Sequence, residues 1–207
     1  MNDIGTRHWT PVVLEGEGVR LEPMRPGHAD GLARACADGR LWELWFTGVP
    51  RPEAMAAHID AFLLKQARGE AVPMVVVRRD DGQVLGQTSF CNIDPETPRA
   101  EIGYTWYAAS AQRSAVNSEA KLLMLSHAFE TRGCIAVEFR THWFNQRSRA
   151  AIARLGAKQD GVLRNHQRLP DGSFRDTVVF SIIESEWPAV KRNLMHRLGR
   201  EPGSGDS

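Results

Sequence analysis

A mixed α/β fold of the α+β type, one sheet with helices on both faces, is predicted by three observations. Segments of strand and helix periodicity follow one another in the order β-α-α-β-β-β-α-β-α-β-β. Two pairs of predicted strands are joined by glycine turns, Asp80-Asp81-Gly82 and Pro170-Asp171-Gly172-Ser173, so the strands flanking each turn run antiparallel. No internal repeat, low-complexity block or linker divides the 207 residues, which fits one domain with a substantial core.

Val19-Arg20-Leu21-Glu22 alternates apolar and polar as a first strand, and Pro23 to Pro26 breaks it before a helix from about His28 to Ala37. A second helix follows Pro52: Met55, Ile59, Phe62 and Leu63 recur on one face, and Gly69 stands where it would end. Met74 to Val77 and Val84 to Phe90 form a hairpin, and Ala100 to Tyr107 a further strand. Ser118 to Thr131 is a helix apolar on more than one side, with Asn117 as its expected N-cap and Gly133 as its stop. Ile135 to Thr141 alternates as a two-faced strand. Gln146 to Leu155 is a helix between Asn145 and Gly156, and Val162 to Arg168 with Phe174 to Ile183 form a closing hairpin. Residues 14–198 are expected to form the domain; 1–13 and 199–207 are expected to be flexible tails.

Composition excludes several classes. Twenty-six basic against twenty-five acidic side chains give a net charge of +1, without the broad positive field of a dedicated nucleic-acid binder. No apolar run reaches membrane-spanning length, and MNDIGTRHWT lacks the pattern of a signal peptide, so a cytoplasmic protein is expected. Cys36, Cys91 and Cys134 are odd in number and form no CxxC pair, which argues against a disulfide framework or a metal site and for buried, reduced thiols.

The chemistry concentrates between Gln112 and Gly161. A polar turn, Gln112-Arg113-Ser114-Ala115-Val116-Asn117, opens one helix, and Asn145-Gln146-Arg147-Ser148 opens the next. Helix starts carry unpartnered N–H groups and partial positive charge, so such a turn can hold a phosphate without basic side chains. Read locally, it is also an ordinary capped helix entry.

With EIGYTWY, QRSAVNSEAKLLMLSHAFE, NQRSRAAIARLGAKQDGVLR and LPDGSFRDTVVFSIIESEWP in this order, the stretch from about Val13 to Trp187 resembles the GNAT-type N-acetyltransferases, particularly the branch containing the ribosomal-protein N-terminal acetyltransferases. The resemblance implies a mostly antiparallel seven-stranded sheet with a V-shaped splay between the fourth and fifth strands. It also implies direct transfer of acetyl from acetyl-CoA to an amine, a peptide N-terminus or a small molecule, with no metal. A homodimer is common in that family.

In that scheme the pantetheine lies in the splay and the residues binding acetyl-CoA are Thr105, Trp106, Tyr107, Gln112, Arg113, Ser114, Ala115, Val116, Asn117, Ser118, Asn145, Ser148 and Arg149. A backbone N–H near Thr105 or Trp106 serves the oxyanion, and Arg147 and Arg154 join Arg149 as neighbours of the adenosine phosphates. Asn145 and Ser148 match the family's Asn-x-x-Ser helix opening, in which the serine approaches the thioester sulfur. Glu101 is the first choice of general base, with His142 and His166 in reserve, and Trp42, Trp45 and Phe46 lie on the acceptor side.

Two departures are visible. Ala115 and Asn117 stand where the family turn carries glycine or small residues, at a cost of roughly 1–2 kcal/mol if Ala115 needs positive φ. Ile152 replaces a tyrosine that protonates the leaving thiolate in many relatives, which leaves Ser148 or water for that step. These departures keep a second reading open, a CoA-binding sensor or catalytically degenerate acetyltransferase.

Overall fold

The computed structural model describes residues 9–200. One sheet of eight strands runs in the order β1-β2-β3-β4-β5-β6-β8-β7, where β1 is Leu14–Glu15, β2 Val19–Pro23, β3 Ala71–Arg78, β4 Val84–Asp94, β5 Arg99–Tyr107, β6 Ala136–His142, β7 Lys158–Arg168 and β8 Phe174–Ile183. The helices are α1 (Ala29–Ala37), α2 (Met55–Ala67), α3 (Val116–Ser126, continued by a π turn to Thr131), α4 (Gln146–Leu155) and α5 (Trp187–Arg197). The expected count of seven strands misses β1, whose two residues pair with Arg20 and Leu21 and are too few to show a period.

Every neighbouring pair is antiparallel except β5 and β6, which are parallel. Their pairing is short: Arg99 with Ala136, Ala100 with Val137, Glu101 with Glu138, and then it stops. Beyond that point β6 stays bonded to β8 as far as His142 and β5 stays bonded to β4 as far as Tyr107, so the two strands part and leave main-chain groups on both facing edges. The expected splay is therefore present.

The two faces of the sheet are distinct. Gln87 of β4 bonds His58 of α2, which marks the α1/α2 face, whereas Thr88 contacts Met124 and Lys121 of α3. A single core fills both layers, with Leu21, Val75, Val76, Leu85, Phe90, Met124, Leu125 and Ile182 almost wholly buried.

Several local expectations need correction. Helix α3 begins at Val116 rather than Ser118, and Asn117 is not its cap: Ser114 Oγ accepts from Val116 N–H instead. Within the two stretches expected to be tails, Trp9 and Arg200 make contacts with the domain. Trp9 lies against Phe90 with ring centroids 4.7 Å apart, and the Arg132 guanidinium lies over the Trp9 ring at 5.1 Å. At the other end Arg200 pairs with Glu17 and with the buried Glu119, which also accepts from Glu17 N–H at 2.6 Å and so fastens α3 to the β1–β2 turn. The remaining tail positions, 1–8 and 201–207, lie outside the described residues.

Candidate active site

The turn before α3 is built as an open row of donors. Gln112 Nε2 donates to Tyr107 O at 3.0 Å and Ser114 Oγ donates to Ala111 O at 2.6 Å, which fold the chain back from β5. Arg113 holds the left-handed conformation at φ 60, so the strained position is Arg113; Ala115 sits at φ −66 in the helical region. The condition under which Ala115 would weaken anion binding is not met. Arg113, Ser114 and Ala115 are exposed, and the N–H groups of Arg113, Ser114, Ala115, Asn117 and Ser118 donate to no acceptor among the described residues. These donors sit at the N-terminus of an eleven-residue helix, where the dipole favours negative charge.

The second helix start lies where β6 ends. Asn145 caps α4, its Oδ1 accepting from Ser148 N–H at 3.0 Å, and Gly156 closes the helix at φ 105. Ser148 Oγ has no hydrogen-bond partner among the described residues. Arg149 does not reach outward: its guanidinium stacks over Trp143 at 4.3 Å and donates to Trp143 O and Gln146 Oε1.

Strand β5 carries a bulge beside the splay. Ser89 faces Gly103 and Gln87 faces Trp106, so Tyr104 and Thr105 together stand opposite Thr88, with Tyr104 at φ 53. Thr105 Oγ1 bonds Thr88 Oγ1 at 2.8 Å and accepts from Lys121 Nζ at 2.8 Å on the α3 side. The rings of Trp106 and Tyr107 are buried, with Trp106 Nε1 and the Tyr107 hydroxyl unpartnered among the described residues; burial pushes the Tyr107 phenol well above its ordinary range.

Glu101 occupies the last paired position before the strands part, on the α1/α2 face. It is 8% exposed, and burial is the largest influence on its carboxyl, raising it above the usual carboxylate range. Oε2 accepts from Asn92 Nδ2 at 2.7 Å and lies 3.4 Å from Arg140 Nε, both of which favour the anion, while cross-strand Glu138 opposes it. Glu138 is itself paired with Arg99 and Arg140. Asn92, at φ 46 in a bulge of β4, was not singled out from sequence; left-handed Asn is tolerated there and aims the amide at Glu101. Oε1 is left facing Gly103, where an added Cβ would stand 3.0 Å from it and 3.1 Å from Cys91 Sγ. Gly103→Ala should therefore push the carboxylate aside by a few tenths of an ångström and lower turnover without unfolding the protein, by less than the about 10²-fold that a 1 Å misplacement costs. Steady-state kinetics with a melting curve checks this.

The reserve bases are placed differently. His142 Nδ1 accepts from Phe144 N–H at 3.0 Å, so the proton is on Nε2, which is buried without a partner. That tautomer makes His142 a donor rather than a base. His166 shares a 3.1 Å contact with Thr177 Oγ1. Of the aromatics expected on the acceptor side, Trp45 and Phe46 meet His142 and Phe144, with Trp45 5.0 Å from the imidazole, whereas Trp42 lies instead beside Arg51.

Family comparison bears on this geometry. The profile of the acetyltransferase (GNAT) domain matches residues 19–158, which contain both helix starts, the bulge and the splay. The chain belongs to the GNAT family of acetyltransferases. Among GNAT relatives, YdaF of Bacillus subtilis (strain 168), whose name provisionally calls it a ribosomal N-acetyltransferase, is 30% identical over 111 residues. That match spans 54% of this chain and 60% of the relative, less than two thirds of its length. The ribosomal-protein-serine acetyltransferase of Escherichia coli (strain K12) is 22% identical over 86% of this chain and 99% of its own. A GCN5-related N-acetyltransferase from Brucella melitensis superposes with a TM-score of 0.79 at 30% identity, covering 97% of this chain and 93% of that one. The expected GNAT fold and the strand-splay geometry thus hold together.

Proposed function

We propose that this GNAT enzyme transfers an acetyl group from acetyl-CoA directly to the α-amine of a protein or peptide. The observation that carries the reading is the coincidence, at one place, of the parted β5 and β6 edges, the open amides before α3 and a buried carboxylate of raised pKa at the apex. The residues fit the co-substrate: Arg113 to Ser118 would hold the diphosphate, and the unpaired edges of β5 and β6 would flank the pantetheine.

In the reaction, the amine nitrogen bonds to the thioester carbonyl carbon and gives its proton to Glu101. A main-chain N–H at the bulge, near Thr105 or Trp106, would donate to the oxygen that gains charge. The carbon–sulfur bond then breaks, and Ser148 or water supplies the proton that leaves with CoA as its thiol. Ile152 is buried in α4 and cannot take that role. The names of the B. subtilis and E. coli relatives favour a ribosomal protein as acceptor. Three buried, free cysteines suit a cytoplasmic enzyme, and a homodimer is part of the same reading.

The test is mass spectrometry of ribosomal-protein N-terminal peptides incubated with the enzyme and acetyl-CoA. A single acetyl group on the α-amine, with matching thiol release, is expected. Tight acetyl-CoA binding without thiol release above background, across peptides and small amines, would instead favour the sensor reading. Of the two sequence departures behind that reading, Ala115 loses its force because its backbone is helical.

A further inference from the structure

On the α1/α2 face of the splay, two nitrogen donors from neighbouring strands have no partner among the described residues. His142, 3% exposed at the end of β6, has its Nε2–H buried and unpartnered, and Arg175 of β8 has a buried Nε without a partner. No hydrogen bond or ion pair joins the Arg175 guanidinium to any described residue, yet it lies within electrostatic reach of Glu101, Tyr104 and His142. The register explains the convergence. His142 pairs with Thr177, and Arg175 lies two residues further along β8 on the same face, past the end of β6. Buried donors without partners are costly, and a guanidinium left so is matched best by a carboxylate held through two N–H groups.

Resting on the transferase reading above, we propose that the acceptor carries a carboxylate close to its reactive amine, and that Arg175, with His142 Nε2–H beside it, is the specificity-determining site for that group. Glu101 and Arg175 present opposite charges at one cleft, so they complement an acceptor whose ammonium and carboxylate are near neighbours. The exposed rings of Trp45 and Phe144, with Phe46, form an apolar wall beside His142. Two sources share this chemistry: a peptide N-terminus with Asp or Glu in its first residues, and a free amino acid.

The experiment compares kcat/KM for peptides that differ only in Glu, Ala or Lys at the second position, and for free amino acids against their amides. The wild-type enzyme is expected to favour the carboxylate-bearing member by about tenfold or more. In Arg175→Gln that ratio collapses towards unity, and in Arg175→Glu the Lys peptide becomes the best of the three. Preference among peptides but not amino acids, or the reverse, identifies the source. Equal rates for the Glu, Ala and Lys peptides and for acids and amides in the wild type overturn the proposal, as does a ratio that survives in Arg175→Gln. Equilibrium binding of the same peptides and amino acids to the CoA-loaded protein is scored separately. Carboxylate selectivity in binding without any transfer overturns the transferase reading and supports this site; transfer without selectivity does the opposite. Circular dichroism on both variants excludes misfolding as the cause.

Discussion

Glu101→Gln will cut turnover by about 10²-fold or more, the usual contribution of a general base, while the protein stays folded. The deficit will depend on pH in a specific way. With Glu101 ionised, an ammonium acceptor can be bound and deprotonated in the site, so kcat/KM stays level below the acceptor's own pKa, which for an α-amine is about 8. In the variant only the free amine is productive, and the rate falls about tenfold per unit as pH drops below that value. Stability should move the other way. Burial raises the Glu101 carboxyl in the folded state, so between the unfolded and folded pKa values the native protein holds a proton that the unfolded chain has lost. Ionising Glu101 as pH rises through that window therefore costs stability, and Gln removes the cost. A slower enzyme that melts no lower than wild type is the expected result. An unchanged pH-rate profile would move the base elsewhere.

Lys121→Met will stabilise the protein by several kcal/mol at neutral pH. Lys121 is 4% exposed and, among the described residues, its ammonium donates only to the hydroxyls of Thr88 and Thr105, with no carboxylate beside it. Burial drags its pKa down to about 7. The sign follows from linkage: the unfolded chain keeps the lysine proton up to about 10.5, so stability rises with pH from about 7 to that value. Below pH 7 the full penalty applies, on the order of 5 kcal/mol at 1.36 kcal/mol per unit. Methionine fills similar space, and Thr88 and Thr105 remain bonded to each other at 2.8 Å, so no hydroxyl is orphaned. Melting curves should shift up by on the order of 10 °C at pH 6 and lose their slope between pH 7 and 10. A lowered melting point would show that the ammonium is held by more than two hydroxyls. A charge this costly, placed 2.8 Å from the bulge residue Thr105, also leads us to expect slower transfer in the stabilised variant.

The sequence disclosed those parts of the fold whose cause is local. Helix α4 announces both ends through Asn145 and Gly156, β8 spans Phe174–Ile183 as expected after its turn, and both hairpins close at their glycine turns. Helix α3 starts two residues early, with Ala115 rather than Asn117 at its N-cap and Val116 N–H donating to Ser114 Oγ. The site was legible only in part for the same reason. Glu101 and the Gln112–Asn117 turn stand out along the chain. Asn92, Lys121 and Arg175 do not, because their importance comes from strand register, which decides what faces the splay, and from bulges formed by Asn92 and Tyr104 at positive φ without glycine. Likewise the tautomer that makes His142 a donor is set by Phe144 N–H, a contact no spacing rule reveals.

A crystal structure of the enzyme with CoA will show whether the co-substrate lies in the splay. The diphosphate is expected within hydrogen-bonding distance of the amides of Arg113 to Ser118, and the pantetheine between the edges of β5 and β6 beyond Glu101 and Glu138. A diphosphate bound away from that turn, or β5 and β6 paired along their length with CoA outside the gap, would contradict that placement.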